Sequence, residues 1–411
     1  MTKTVWVINQ YASTPETGIG GRHYLLAQEL AAKGLTVYLV MASFHHVLHS
    51  PVSVSGRYKL SKAGKLNIVQ VKVPRYDDAH SGRRMINWFI FAYQLLGLKR
   101  FITDKPDAIL YSSLSLVGFL SAERLARYYR VPLTFEVRDI WPLTLTEIGG
   151  VSRRHPFVRL LQWVEDRAYR VSNRVISNLP GAVNHMVERG MDPTKFEWIP
   201  NGVSVDEMDQ NTALDNQFAS AIPRDQFVVG YAGTHGVANA LDNFLDAANL
   251  LRKHTDVALV LVGRGKEKER LQVRAKEEHL DNVLFLPAVP KAQVSSVLRM
   301  FDVCFIGWKD ESLYRFGIGA NKIPEYFFSG KPVIHAYSGG ADPVAQFGAG
   351  LTVPAEDPEA LAEGILRLYR MSQGERDTMG ANGKRAVLER YDYFLLATRL
   401  QAVLFQEKPA D

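Results

Sequence analysis

Two successive series of short apolar runs, each followed by an amphipathic stretch, restrict this chain more than any other feature. Short runs rich in Val, Ile and Leu, without polar alternation, suit strands whose two faces are both covered. Alternation with helical periodicity then points to parallel sheets with crossover helices. In the first series residues 5–9, 36–41, 108–111, 133–137 and 174–177 read as strands. Residues 21–33, 118–129 and 159–170 read as helices between or beside them. The second series places strands at 227–231, 258–262, 283–285, 303–306 and 332–335, and helices at 241–252, 267–278, 291–300, 323–328 and 358–371.

Between the series stands Ile199-Pro-Asn-Gly202, whose Asn-Gly pair can supply the positive φ of a sharp change of direction. A chain of 411 residues also exceeds the ~100–200 residues of an ordinary domain. Two Rossmann-like α/β domains are therefore expected, residues 1–200 and 203–387, with a last helix at about 388–405 returning to the first. Ligands of open α/β sheets bind beyond the carboxyl ends of the strands, and two such domains face to face suit a two-substrate transfer.

Composition narrows the class further. The single cysteine, Cys304, cannot form an internal disulfide and lies in an apolar run, which reads as a buried inert thiol. A reducing, cytoplasmic location is expected. Residues 1–3 lead straight into the first apolar run without a leader-like segment, and no run reaches the ~18–20 apolar residues of a membrane span. The net charge of +6 favours an anionic partner or is simply that of a mildly basic protein. Dispersed basic residues without an aromatic platform argue against nucleic acid.

Three segments carry candidate chemistry. Thr17-Gly-Ile-Gly-Gly-Arg-His23 follows the first strand and enters a helix, where backbone N–H groups can approach a phosphate. The dinucleotide fingerprint fails at His23, so a tight strand-to-helix turn is the competing reading. Glu136, Arg138 and Asp139, in Phe135-Glu-Val-Arg-Asp-Ile-Trp-Pro142, stand at the end of a strand. They are either a proton acceptor with its orienting partner or an internal Arg–carboxylate pair that fixes the loop. In Tyr314-Arg-Phe-Gly-Ile-Gly-Ala-Asn-Lys-Ile-Pro-Glu-Tyr326, Lys322 and Glu325 share one helical face. That pair can hold a diphosphate and a ribose, or it can be an exposed ion pair.

Pro200-Asn-Gly-Val203, Val262-Gly-Arg-Gly265 and Asn321-Lys-Ile-Pro-Glu-Tyr-Phe-Phe-Ser-Gly-Lys-Pro-Val333 stand in the order and spacing of retaining glycosyltransferases of family 4. The chain resembles that family, which has the GT-B fold. With Asn9-Gln-Tyr-Ala-Ser13 and the Glu136 segment, it resembles the bacterial branch that builds O-antigen and capsule, including N-acetylfucosamine-type transferases.

The resemblance implies roles for individual residues. Glu325 matches the second glutamate of a Glu-x7-Glu motif and would bind the donor ribose. Lys322 and Arg264 would face the diphosphate of a nucleotide sugar, a UDP-sugar by analogy, beside Asn321. The backbone of Gly20 and Gly21 would close over the diphosphate from the other domain. Arg138 or Asp139 stands where relatives carry a histidine near the acceptor. Two departures matter: the first glutamate of the motif is Gly317, and the family's Arg and Lys are replaced by Thr234, His235 and Asn239. Lys322 thereby gains weight, with His235, charged below a pH of about 6.5, as the alternative cation.

The resemblance also implies retention, with the leaving phosphate accepting the acceptor's proton, and no metal. The absence of Asp-x-Asp agrees, Asp77 and Asp78 being adjacent in a polar stretch. The acceptor would be a glycan or a polyprenyl-diphosphate-linked sugar. Residues 80–100, basic at both ends and aromatic between, suit either contact with the inner membrane's cytoplasmic face or a core helix. A sugar-nucleotide 2-epimerase and a non-catalytic partner subunit of the same fold are the competing functions.

Overall fold

The computed structural model describes residues 2–76, 82–210 and 212–407. Asp77, Asp78 and the start of the expected 80–100 helix lie outside them. Contacts divide the chain into two compact units. One runs to Pro200 and includes the final helix Tyr393–Phe405; the other is Asn201–Asp392.

The first unit is built on eight strands: β1 (Thr4–Ile8), β2 (Thr36–Ala42), β3 (Tyr58–Ala63), β4 (Leu66–Val71), β5 (Ala108–Ser112), β6 (Leu133–Val137), β7 (Arg174–Ser177) and β8 (Phe196–Trp198). Their order is β3-β4-β2-β1-β5-β6-β7-β8, all parallel except β3, which is antiparallel to β4. The central strand β1 is buried along its whole length, which is why its sequence shows no polar alternation. The β3–β4 hairpin has no counterpart in the apolar-run reading, because β3 is a half-exposed edge strand that carries Lys59 and Lys62 on its exposed surface. Gly64, at φ +57, makes its turn.

The second unit carries six parallel strands: β9 (Phe227–Ala232), β10 (Val257–Val262), β11 (Val283–Leu286), β12 (Val303–Gly307), β13 (Val333–Ala336) and β14 (Gly350–Val353). Their order is β11-β10-β9-β12-β13-β14. Its core joins Val229, Tyr231, Leu259, Leu261 and Phe305 of the sheet to Phe244 and Leu245 of the helix Leu241–Leu250. The rings of Phe244 and Phe305 stack at 4.2 Å.

Each sheet reverses its direction of winding once, between β1 and β5 and between β9 and β12. A crevice forms at the carboxyl end of such a switch point, because the two loops there leave in opposite directions. Right-handed crossovers also place the helices Leu241–Leu250 and Lys322–Phe328 on opposite faces of the second sheet.

The chain's last segments are fixed by packing rather than by sequence pattern. Residues Val387–Tyr391 form a π-helical turn, and the Tyr391 ring lies 6.4 Å from Phe327 and 6.1 Å from Phe347 in the second unit. The next helix, Tyr393–Phe405, packs along the helix Arg22–Ala32 and buries Leu396, Ala397 and Leu400 in the first unit's core.

Candidate active site

At the first switch point the sequence brings three strand ends together. Asn9 follows β1, Ser112 ends β5 and Glu136 lies in β6. The Arg22 Nε donates to Glu136 Oε1 at 2.8 Å, and its Nη2 donates to the carbonyl of Ile199 at 2.8 Å. His23 Nε2 lies 2.5 Å from Glu136 Oε2 and 2.9 Å from Ser112 Oγ, while Asn9 Nδ2 donates to Ser112 Oγ at 2.9 Å. Every one of these side chains is buried.

Burial alone would raise the Glu136 carboxyl pKa, but Arg22 and His23 hold it well below the usual carboxylate range. Burial lowers the pKa of His23, against the pull of Glu136. Glu136 therefore works inside the fold. It ties the helix that starts at Arg22 to β6 and to the chain segment that leads out of the first unit. The internal Arg–carboxylate pair weighed from sequence is present, but its arginine is Arg22 and not the adjacent Arg138. Nothing local in the sequence signals a partner that far away.

The other residues of that segment face differently. Arg138 is half-buried, and its backbone N–H donates to Ser113 Oγ at 3.2 Å. The Asp139 carboxyl is raised by the desolvation of surrounding protein, with Arg138 opposing. It nevertheless keeps an exposed surface. The glycine loop is read in two parts. Gly20 has φ +60, and a Cβ there would stand 2.8 Å from Pro15, so glycine is a requirement of the turn. Gly21 has open space where a Cβ would be, and it begins the helix without a side-chain cap. The turn reading accounts for Gly20, and Gly21 leaves the helix N-terminus accessible.

At the second switch point the loops after β9 and β10 pack backbone against backbone. His235 N donates to the Arg264 carbonyl at 2.9 Å, and a Cβ on Gly263 would stand 1.9 Å from the Gly233 carbonyl oxygen. Lys268 Nζ donates to the carbonyls of Gly263 at 2.9 Å and Leu286 at 2.7 Å, which clamps this layer. From sequence alone Lys268 reads as one more charge on a polar helix.

Lys322 opens its helix and comes over this layer. Its Nζ donates to Asn239 Oδ1 and lies 4.8 Å from the Tyr231 ring centroid and 5.9 Å from that of Trp308. Burial pushes the ammonium down to about 8. Trp308 is in turn set by its Nε1 donating to His335 Nε2 at 3.0 Å, with His335 Nδ1 facing Asp342 Oδ1 at 2.9 Å. Among the described residues Lys322 has no carboxylate partner. The competing reading, an ion pair between Lys322 and Glu325, is not what the structure shows: Glu325 binds Lys291 Nζ instead.

Arg264 is exposed and, among the described residues, has no ion pair. Asn321 is exposed at the start of the Lys322 helix. His235 is corrected by the structure. It is fully buried, and burial together with Lys268 and Lys322 lowers it to about 4. It is neutral at neutral pH and cannot serve as the alternative cation. Gly317, at φ +86, ends the short helix Ser312–Phe316 in a conformation that favours glycine over the family's glutamate.

Two family models match the chain. One, described as Glycosyltransferase Family 4, matches residues 18–207, and one described as Glycosyl transferases group 1 matches residues 226–371. Together they span most of the chain, which belongs to the glycosyltransferases of GT-B type. A D-inositol 3-phosphate glycosyltransferase of Segniliparus rotundus is 26% identical over 275 residues. The match covers 65% of this chain but only 58% of that relative, less than two thirds of its length. The sucrose-phosphate synthase of Thermosynechococcus elongatus superposes with a TM-score of 0.74 at 16% identity, over 98% of each chain. An Anabaena protein solved in complex with UDP and glucose superposes with a TM-score of 0.65 at 16% identity, over 98% of this chain and 99% of its own.

The buried network at Glu136 gives a direct expectation. Breaking a buried pair leaves an uncompensated charge, at a cost of about 3–5 kcal/mol. Glu136→Ala should lower the unfolding free energy by about that amount in urea titration. A loss under about 1 kcal/mol would mean that water or another group already satisfies Arg22.

Proposed function

We propose that this chain transfers a sugar from a UDP-sugar to a hydroxyl of a glycan or polyprenyl-diphosphate-linked acceptor, with retention and without a metal ion. The observation that carries the reading is Lys322, an ammonium held at the second switch point by a neutral amide and an aromatic face. An amide and a ring stabilise the cation without cancelling it, so its charge stays available to an anion.

In such a transfer the C1–O bond to the diphosphate breaks while the acceptor oxygen bonds to C1. Negative charge gathers on the departing phosphate oxygen, which takes the acceptor's proton. Lys322 and Arg264 would stabilise that charge, and Glu325 would accept the ribose hydroxyls after exchanging its contact with Lys291. Asn321 would supply a further donor. Asp139, exposed and with a raised carboxyl, suits orientation of the acceptor hydroxyl, with Arg138 holding its loop. The UDP bound to the Anabaena structural neighbour supports the choice of nucleotide.

The same reading places the protein in surface-polysaccharide synthesis at the cytoplasmic face of the inner membrane. No helix among the described residues is long and apolar enough to cross a membrane. The helix Gly82–Leu95 buries Trp88, Phe91 and Leu95 as a core helix does, yet it also exposes Ile86, Phe89 and Tyr93 beside Arg57. An exposed aromatic face next to basic residues supports contact with anionic lipid.

Lys322→Met should lower turnover by roughly 100-fold or more while weakening UDP affinity less, because the charge is larger in the transition state than in the bound donor. Activity should also survive EDTA. A fall under about tenfold in folded protein, or full loss in EDTA restored by magnesium, contradicts the mechanism. Replacing Phe89 and Tyr93 by Ser should reduce co-sedimentation with phosphatidylglycerol vesicles, and unchanged co-sedimentation would remove the helix from the membrane account.

A further inference from the structure

A row of side chains runs from the loop after β13 to the lysine of the second switch point. Asp342 caps the short helix Pro343–Phe347, its Oδ1 accepting from Val344 N at 3.0 Å, and its Oδ2 accepts from Thr352 Oγ1. The same Oδ1 lies 2.9 Å from Nδ1 of His335, in β13. On the other side of that ring, Nε2 faces the indole Nε1 of Trp308 at 3.0 Å. The Trp308 ring centroid in turn stands 5.9 Å from Lys322 Nζ.

The chemistry of these groups leaves one proton arrangement. An indole N–H only donates, so His335 Nε2 accepts, and the ring proton sits on Nδ1, where the Asp342 carboxylate takes it. His335 is fully buried, and its ring stacks on Tyr337 at 4.7 Å and 17°. Tyr337 is fixed as well, its hydroxyl lying 2.7 Å from the Gly340 carbonyl oxygen and 3.0 Å from that of Tyr314. The imidazole therefore cannot turn, and it offers one acceptor in one direction. Trp308 is half-buried just beyond β12, and its only polar side-chain atom is committed to that acceptor.

A pair between His335 and Asp342 would be enough to hold the loop after β13 to its strand. The indole contact does something more, because it sets the plane of a ring beside the ammonium. Among the described residues Lys322 Nζ meets two aromatic faces, Tyr231 at 4.8 Å and Trp308 at 5.9 Å. Tyr231 is fully buried in β9 and has no freedom to change. Trp308 is the wall that can move, and its anchor is His335. A ring held there keeps water from Nζ, and an ammonium in a drier site acts more strongly on a nearby anion. The other titratable groups around Nζ bring it no negative charge. Burial keeps Tyr231 protonated, and His235 is neutral. Lys268 is bound to two carbonyls, Arg264 is exposed, and Glu325 is held by Lys291.

We propose that His335 is a positioning residue for the transfer: through the Trp308 indole it fixes how far the Lys322 ammonium is withdrawn from water, and so how strongly that cation acts on a diphosphate. The inference rests on the reading of Lys322 as the cation of the donor site.

Three variants of the full chain test it, by calorimetry of UDP binding at pH 8.5 in buffers of different ionisation enthalpy. His335→Asn keeps a donor for Asp342 in the place of Nδ1 but does not reach the indole. Trp308→Phe keeps a ring, removes the indole N–H, and reads the same effect if the asparagine variant does not fold. The third variant joins both changes. A freed wall admits water, so Lys322 moves about one pH unit back towards the ordinary lysine value and needs less of a proton when UDP arrives. Proton uptake per UDP should drop from roughly 0.5–0.8 in wild type to about 0.3 or less in each single variant. The double variant should match Trp308→Phe, because His335 acts only through the N–H already lost. UDP affinity at pH 7 in His335→Asn should stay above that of Lys322→Met, where the cation itself is gone. Wild-type uptake in His335→Asn overturns the proposal, and with a lowered Tm it gives His335 a structural role only. A double variant that loses clearly more than Trp308→Phe also overturns it. No uptake by wild type would overturn the reading of Lys322 itself and this inference with it, which keeps the two failures apart.

Discussion

The proposed donor-side chemistry rests on one ammonium, Lys322, that burial withdraws from water and that has no carboxylate partner among the described residues. An Asp or Glu at the place of Asn239 would stabilise the cation more, but it would also neutralise the field that a diphosphate must feel. The amide oxygen of Asn239 and the Tyr231 ring supply weaker, uncharged support. The cost is visible in the lysine itself, which burial pushes down to about 8. Tyr231, Asn239 and Trp308 come from the end of β9 and the loops after β9 and β12, so the winding reversal of the sheet assembles the cation's surroundings.

The first unit uses the same topology for a different end. At its switch point the charged groups satisfy one another: Arg22, His23 and Glu136 form a closed, buried set. Such a set stabilises only while every member is present, and it fixes geometry rather than binding a ligand. Asp139, three residues beyond Glu136, is left exposed at the end of the same strand. A rigid carboxylate inside and an exposed one outside therefore come from one short segment.

Much of this was legible in the sequence. The uninterrupted apolar runs marked the buried central strands, and the glycines after β1 marked the turn into the first helix. The edge hairpin β3–β4 was not, because edge strands carry Lys59 and Lys62 on faces that water reaches. The candidate residues' types and their places at strand and helix ends were legible, but not their partners. Glu136 takes its arginine from the helix at Arg22, Lys322 takes its amide from Asn239, and Glu325 takes Lys291. His235 shows the sharpest gap: its residue type suggests a titrating cation, while its full burial makes it neutral. Burial is a property of the assembled sheet, and no local pattern reports it.

In the proposed reaction Lys322 meets the diphosphate as a cation. A lysine lowered to about 8 is mostly deprotonated at pH 8.5, and a bound diphosphate must draw its proton back. Folded-state affinity for UDP should therefore fall as pH rises from about 8 towards the ordinary lysine value. Calorimetry of UDP binding at pH 8.5, in buffers of different ionisation enthalpy, reads the proton directly. The account predicts uptake of roughly 0.5–0.8 proton per UDP by wild type and close to none by Lys322→Met. UDP binding without proton uptake, or the same uptake in the methionine variant, would contradict it.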